Sequence, residues 1–176
     1  MGKDTQNKTV LTREFSSGGV VYKKVGGEIL WLGRKTAASK LYPKEYWMLP
    51  KGRIDDTKND LPGPMASGKI RADEESLQKA ALREVAEEGG IEAKVVSKIA
   101  TTKYSFVHPT QGKILKFVTF YLMEWVRDLP EGHDEETSEV VWLPFEEAYK
   151  RLSFSGEKEM LAKAKELLAP VAQRIE

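Results

Sequence analysis

The stretch ESLQKAALREVAEEGGI, residues 75–91, limits what this chain can fold into more than any other segment. Asp73 is placed to cap a helix, Glu74 and Glu75 put negative charge where the helix dipole favours it, and Gly89-Gly90 offers a left-handed stop. At about 100° per residue, Leu77, Ala81, Leu82 and Val85 gather on one flank, and Glu84, Glu87 and Glu88 crowd the neighbouring arc. Like charges at i, i+4 oppose a helix by ~0.2–0.5 kcal/mol, and no Lys or Arg one turn away on that arc offsets them. A hard divalent cation with oxygen ligands, Mg²⁺ or Mn²⁺, would neutralise the cluster; a solvated charged face is the plainer alternative.

Composition narrows the chemistry. The chain has no cysteine and only two histidines, His108 and His133, so thiolate sites, a Cys nucleophile and a His-based zinc site are disfavoured and any metal must be held by oxygen. Its 28 basic and 27 acidic residues give a formal charge of +1, with no excess to hold duplex nucleic acid. A small phosphorylated ligand fits better than a long polyanion. No apolar run is long enough to span a bilayer and the N-terminus lacks a signal-peptide core, so a cytoplasmic protein that does not engage a membrane is expected. The sequence leaves room for a homodimer without setting the oligomeric state.

In order along the chain, residues 1–13 read as a flexible N-terminus and 14–176 as one domain. Phe15 to Tyr22 is a β-branched strand with Gly18-Gly19 inside it, a mark of a bulge or of close approach by another backbone or a ligand. Gly26-Gly27 turns it into a second strand through Ile29 to Leu32. Trp47 and Leu49 read as core residues anchoring Pro50-Lys51-Gly52. Residues 53–73, rich in Pro, Gly, Asp and Lys, read as an exposed inserted loop able to cover a site. Separate β-rich pieces (Val95-Val96, Ile99 to Thr102, Tyr104 to Val107), a turn at His108 and a strand from Ile114 to Val126 predict a central hairpin. A strand through Val140 to Leu143, a helix opened by Pro144 and a second helix ended by Pro170 complete the pattern. The sum is an α/β chain, a mixed central sheet between helices.

Arg83-Glu84-Val85-Ala86-Glu87-Glu88-Gly89-Gly90-Ile91 resembles the Arg-Glu-apolar-x-Glu-Glu-x-Gly-apolar half of the Nudix box, with Glu75 standing ahead of it as in that family and Pro50-Lys51-Gly52 similar to its opening. Gly68 offers a rival alignment of that first glycine but lacks the Pro-Lys-Gly context, so Gly52 is preferred and the insertion at 53–73 follows. The resemblance implies a Nudix-like α/β/α sandwich and Mg²⁺-dependent (or Mn²⁺-dependent) hydrolysis of a nucleoside diphosphate linked to another group. It implies metal ligands among Glu84, Glu87, Glu88, Glu136 and a carbonyl at Gly52 or Lys51, and catalytic roles for Glu84, Glu87 and Glu136, with Arg83 orienting Glu84 by a bidentate hydrogen bond. Glu135 and Glu139 compete with Glu136 for its assignment.

Arg34, Lys51 and Arg53 are candidate phosphate contacts, against ordinary surface charge, and the resemblance makes Tyr104 a candidate substrate contact, against core packing. The Tyr104-Ser105-Phe106-Val107-His108-Pro109 segment looks like diadenosine polyphosphate hydrolases. A nucleoside diphosphate sugar hydrolase, an RNA 5′-end pyrophosphohydrolase and a non-catalytic nucleotide-binding regulatory module are the alternatives.

Overall fold

In the computed structural model of the chain, residues 11–169 are described. Residues 1–10 and 170–176, which include Pro170 and most of the segment expected to be flexible, lie outside them. The first strand, β1, spans Thr12–Val25 and returns as β2 (Glu28–Thr36), paired from Val25↔Glu28 onward. Gly26 and Gly27 take φ of 55° and 82°, the two successive positive values that the tightest hairpin turn demands. Two short strands, β3 (Trp47–Met48) and β4 (Lys51–Arg53), precede helix α1 (Glu74–Gly89). Asp73 caps α1 by accepting the Ser76 N–H at 2.8 Å, and Gly90 ends it at φ 67°, as the sequence pattern predicts.

After α1 come β5 (Ile91–His108), β6 (Gly112–Asp128), β7 (Thr137–Leu143), α2 (Phe145–Arg151) and α3 (Ser155–Leu168). The strand order is β3-β2-β1-β6-β5, with β4 added to β1 and β7 to β2. β1 and β6 run parallel and the other pairs antiparallel, so the sheet is mixed. Side-chain alternation along β1 feeds both faces. Val21 packs with Leu32, Tyr121 and Met123 against Ala81 and Val85 of α1, whereas Val20 and Tyr22 pack with Phe120 and Leu122 against Leu161 and Ala164 of α3. The result is the expected α/β/α sandwich.

Three expectations change. The β5–β6 hairpin is not central as a pair: β6 lies between β1 and β5, and β5 is the edge. The β-rich pieces of residues 93–107 are one strand, interrupted where its register shifts at Glu92/Ala93, Val95/Ser97 and Lys98/Ala100. Trp47 is only half-buried, lying 4.9 Å from the Arg151 guanidinium at the sheet edge, while Leu49 is in the core.

The inserted loop is also less open than its composition suggests. The Asp55 carboxylate accepts the Met65 and Ala66 N–H groups at 3.1 and 2.7 Å, and the Ala66 carbonyl accepts the Phe15 N–H at 2.8 Å. Ala66 and Ile54 are buried, so part of the loop is sewn back onto β1, while its Asp56 and Asp60 line the cleft.

The two glycines inside β1 serve different neighbours. A Cβ on Gly18 would stand 2.4 Å from the Pro50 carbonyl oxygen, and one on Gly19 would stand 2.6 Å from Val85 Cγ2 of α1. One absent side chain admits the β3–β4 turn and the other admits the helix. Gly18→Ala is therefore expected to lower stability by about 1–3 kcal/mol, read as a reduced denaturation midpoint; an unchanged midpoint contradicts this packing.

Candidate active site

The carboxylate arc of α1 faces β4. A Cβ on Gly52 would fall 2.2–2.4 Å from the Glu84 carboxylate, so any larger residue here would displace that side chain from where it lies. Gly68, the rival in sequence, packs instead against the Phe15 ring. Arg83 donates Nη2–H to Glu84 Oε1 at 2.8 Å and to the Arg53 carbonyl at 2.7 Å. It orients Glu84, but through one nitrogen rather than two, and its other bonds staple α1 to the end of β4. Its Nε also lies 4.0 Å from Glu87, so the helix does supply one cation beside its carboxylates.

Glu88 is turned inward and is 2% exposed. Arg34 Nη2–H reaches Glu88 Oε1 at 2.5 Å, and the Lys51 N–H reaches Oε2 at 2.8 Å. Arg34 Nη1 donates to the Glu136 carbonyl and to Thr137 Oγ1, both at 3.2 Å, while its Nε is buried without a hydrogen-bond partner. Arg34 is thus not an exposed phosphate contact. Lys51 is likewise engaged, its ammonium 3.0 Å from Glu157 Oε1 on α3. Arg53 pairs with Asp56 at 2.8 Å and with Glu14 at 3.6 Å. All three bases expected to bind substrate already hold carboxylates, although all three line the cleft.

That cleft encloses about 370 Å³ and brings Glu84, Glu87, Glu88 and Glu136 together with Arg34, Lys51, Gly52, Arg53 and Tyr104. Glu136 is carried there by a loop docked on the end of α1, where the Asp134 N–H meets the Glu87 carbonyl at 2.7 Å and the Leu129 N–H meets the Gly90 carbonyl at 2.9 Å. Glu139 lies elsewhere, 3.5 Å from Lys35. Tyr104 is 40% exposed at the cleft and tilts against Phe106 rather than joining the core. His108 is the last residue of β5, paired with Gly112 rather than lying in the turn, and accepts the Thr110 N–H at 3.2 Å, taking Nδ1 as the acceptor.

Sequence reasoning missed Asp56, Asp60, Asp134, Lys116 and Met48 of the cleft wall. Asp56 and Asp60 sit in the insertion, and Lys116 enters through its register with Tyr104 across the β5–β6 hairpin. The same-face neighbours of Lys116 on β6 are the apolar Ile114 and Val118, so the strand's alternation does not mark it.

The model of the NUDIX domain matches residues 13–164. The chain belongs to the NUDIX family. This NUDIX chain is 31% identical over 170 residues to the mutator-type protein MutT4 of Mycobacterium tuberculosis, covering 93% of itself and 58% of that relative. It therefore spans little more than half the length of this relative. Its fold is similar to an Ap4A hydrolase of C. elegans solved as a binary complex (TM-score 0.63, 21% identity, 88% of this chain and 97% of that one). It is also similar to the NUDIX domain of Shewanella oneidensis NrtR complexed with ADP ribose (TM-score 0.53, 16% identity, 94% and 95% coverage).

The donor set of this NUDIX cleft suits a hard cation: carboxylates only, with the bare Cα of Gly52 leaving space against Glu84. Among the described residues no three of these groups already converge as a finished coordination shell. Glu88 is turned onto Arg34 and Lys51, and Glu84 onto Arg83. Burial pushes the Glu84 carboxyl above the ordinary range. It pushes Glu88 to about 8 against the opposing pull of Arg34 and Lys51. Burial and the neighbouring Asp134 raise Glu136 as well.

A carboxyl whose folded pKa is raised stabilises the fold below its unfolded pKa and loses that contribution as pH climbs through the folded value. For Glu88 that window runs from the ordinary 4.5 to about 8. A bound cation favours the ionised form and so offsets the loss. The rise in Tm on adding Mg²⁺ to chelator-treated protein is expected to be larger at pH 8 than at pH 5.5. Equal shifts at the two pH values contradict this assignment of the buried carboxylates.

Proposed function

We propose that this protein is a divalent-cation-dependent pyrophosphohydrolase that cleaves a phosphoanhydride bond in a nucleoside diphosphate linked to another group, with a dinucleoside polyphosphate of the diadenosine tetraphosphate type as the preferred substrate. One observation carries the reading. The cleft wall holds seven carboxylate residues, Asp56, Asp60, Glu84, Glu87, Glu88, Asp134 and Glu136, against only Arg34, Lys51, Arg53 and Lys116. Those four bases are themselves paired, so among the residues that line the cleft no cation is left free to meet a polyanion. A cleft of this sign accepts phosphates only with cations between.

Bound Mg²⁺ or Mn²⁺ would supply positive charge against the phosphate oxygens and ease deprotonation of the attacking water. Glu84, Glu87, Glu88, Glu136 and the carbonyl of Gly52 are the residues to hold it. Arg83 fixes the angle of Glu84, a second-layer contact of the kind that orients ligands. Glu87 is the most solvent-open of the three box carboxylates, and it or Glu136 accepts the proton of the attacking water. Tyr104, exposed at the cleft margin, offers a ring face to a nucleobase.

The substrate preference rests on Tyr104 and its neighbours and is in keeping with the fold shared with the C. elegans Ap4A hydrolase. With Arg34 and Lys51 occupied, neutralisation of a four-phosphate chain falls to the cations. The same occupancy favours the second reading, a shorter diphosphate such as a nucleoside diphosphate sugar or ADP-ribose, the ligand of the NrtR domain.

Purified protein with Mg²⁺ should cleave diadenosine tetraphosphate with higher kcat/KM than ADP-ribose, a nucleoside diphosphate sugar or 8-oxo-dGTP, with products resolved by chromatography. A diphosphate sugar or a triphosphorylated RNA end winning by tenfold would transfer the assignment to that substrate. Glu87→Gln, nearly isosteric, should lower turnover at least tenfold, ~1.4 kcal/mol of barrier. Undiminished hydrolysis in that variant, or in wild type after exhaustive chelation, would remove the cation-dependent mechanism.

A further inference from the structure

Glu157 stands on α3, outside the Nudix box and in the helical layer opposite α1. It is 4% exposed. Its Oε1 accepts the Lys51 ammonium at 3.0 Å and the Leu49 N–H at 3.3 Å, and its Oε2 is buried with no hydrogen-bond partner. A carboxylate left half-satisfied in the interior is costly. Hydrophobic packing of α3, already supplied by Met160, Leu161 and Ala164, does not require it.

What Glu157 touches explains its presence. Leu49 and Lys51 flank Pro50 in the turn that delivers β4 to the site. The backbone N–H of Lys51 points the other way, onto Glu88 Oε2. One residue is therefore held by two carboxylates, by its ammonium on the α3 side and by its amide on the α1 side. Lys51 is 7% exposed, so its ammonium has little recourse to water. Glu157 and Glu88 are buried carboxylates that both act on it. An ammonium on a flexible four-carbon stem, deprived of the first, would turn to the second.

We propose that Glu157 is a positioning residue for the cation site: it holds the Lys51 ammonium on the α3 side of the sheet, keeping that charge off Glu88 and fixing the turn that presents Gly52 to Glu84. This rests on the reading of Glu84, Glu87 and Glu88 as cation ligands. Although it does not line the cleft, Glu157 then governs metal affinity by removing a competitor. Replacing it with glutamine preserves size and an acceptor for the Leu49 N–H but no longer neutralises Lys51.

Calorimetric titration of the full chain with Mn²⁺, without substrate, separates the possibilities. Wild type should bind, Glu157→Gln should bind at least fivefold more weakly, and the double variant Lys51→Met/Glu157→Gln should return to within twofold of wild type, since Met retains the backbone N–H and carries no ammonium. Circular dichroism establishes that each variant is folded. Should Glu157→Gln not fold, Lys51→Met alone carries the test, with affinity within twofold of wild type expected. Wild-type affinity in folded Glu157→Gln, or a fivefold loss in either variant lacking the ammonium, overturns the positioning role and leaves the cation site standing. A wild-type chain that does not bind Mn²⁺ overturns both.

Discussion

Glu88 and Arg34 meet in the interior, a carboxylate and a guanidinium both nearly closed to solvent. The remaining Glu88 oxygen is taken by the Lys51 N–H, and the remaining Arg34 donors by the Glu136 carbonyl and Thr137, except for Nε. Removing one member of such a buried pair typically costs about 3–5 kcal/mol, because the charge left behind cannot be solvated. The pair brings together four segments far apart in sequence: β2, β4, the C-terminal turn of α1 and the loop that leads into β7.

Around it, absent side chains do as much as present ones. Gly18 and Gly19 let the β3–β4 turn and α1 approach β1 from its two faces, and Gly52 lets the Glu84 carboxylate reach the backbone of β4. The acidic loop closes on the end of α1 because Gly90 leaves no Cβ to strike His133 and so lets the Asp134 and Leu129 amides dock. The site is a set of close backbone approaches stabilised by charge-assisted hydrogen bonds, with the hydrophobic layers behind holding the backbones in register.

Much of this was legible in the sequence because it is written in local periodicity. The cap at Asp73, the stop at Gly90, the apolar flank through Ala81 and Val85, the Gly26-Gly27 turn and the choice of Gly52 over Gly68 each follow from residues close together in the chain. What the sequence hid is pairing across the fold. Arg34, Lys51 and Arg53 read as free cations because Glu88, Glu157 and Asp56 gave no sign of being their partners; Glu88 and Glu157 lie 54 and 106 residues away from theirs. Glu136 and the edge position of β5 were likewise set by strand order, which no window of sequence displays. The insertion misled by composition: its Pro, Gly and Asp content is that of an open loop, yet Asp55 and Ala66 tie it to β1.

The chemistry of this cleft depends on a cation being drawn to the carboxylates beside Gly52. Anomalous scattering from crystals of the full chain grown with Mn²⁺ tests this most directly. A peak within about 2.0–2.3 Å of oxygens from at least two of Glu84, Glu87 and Glu88, with the Gly52 or Lys51 carbonyl beside it, is the predicted result. A peak held instead by Asp56 and Asp60, or none in the cleft at saturating Mn²⁺, would contradict it.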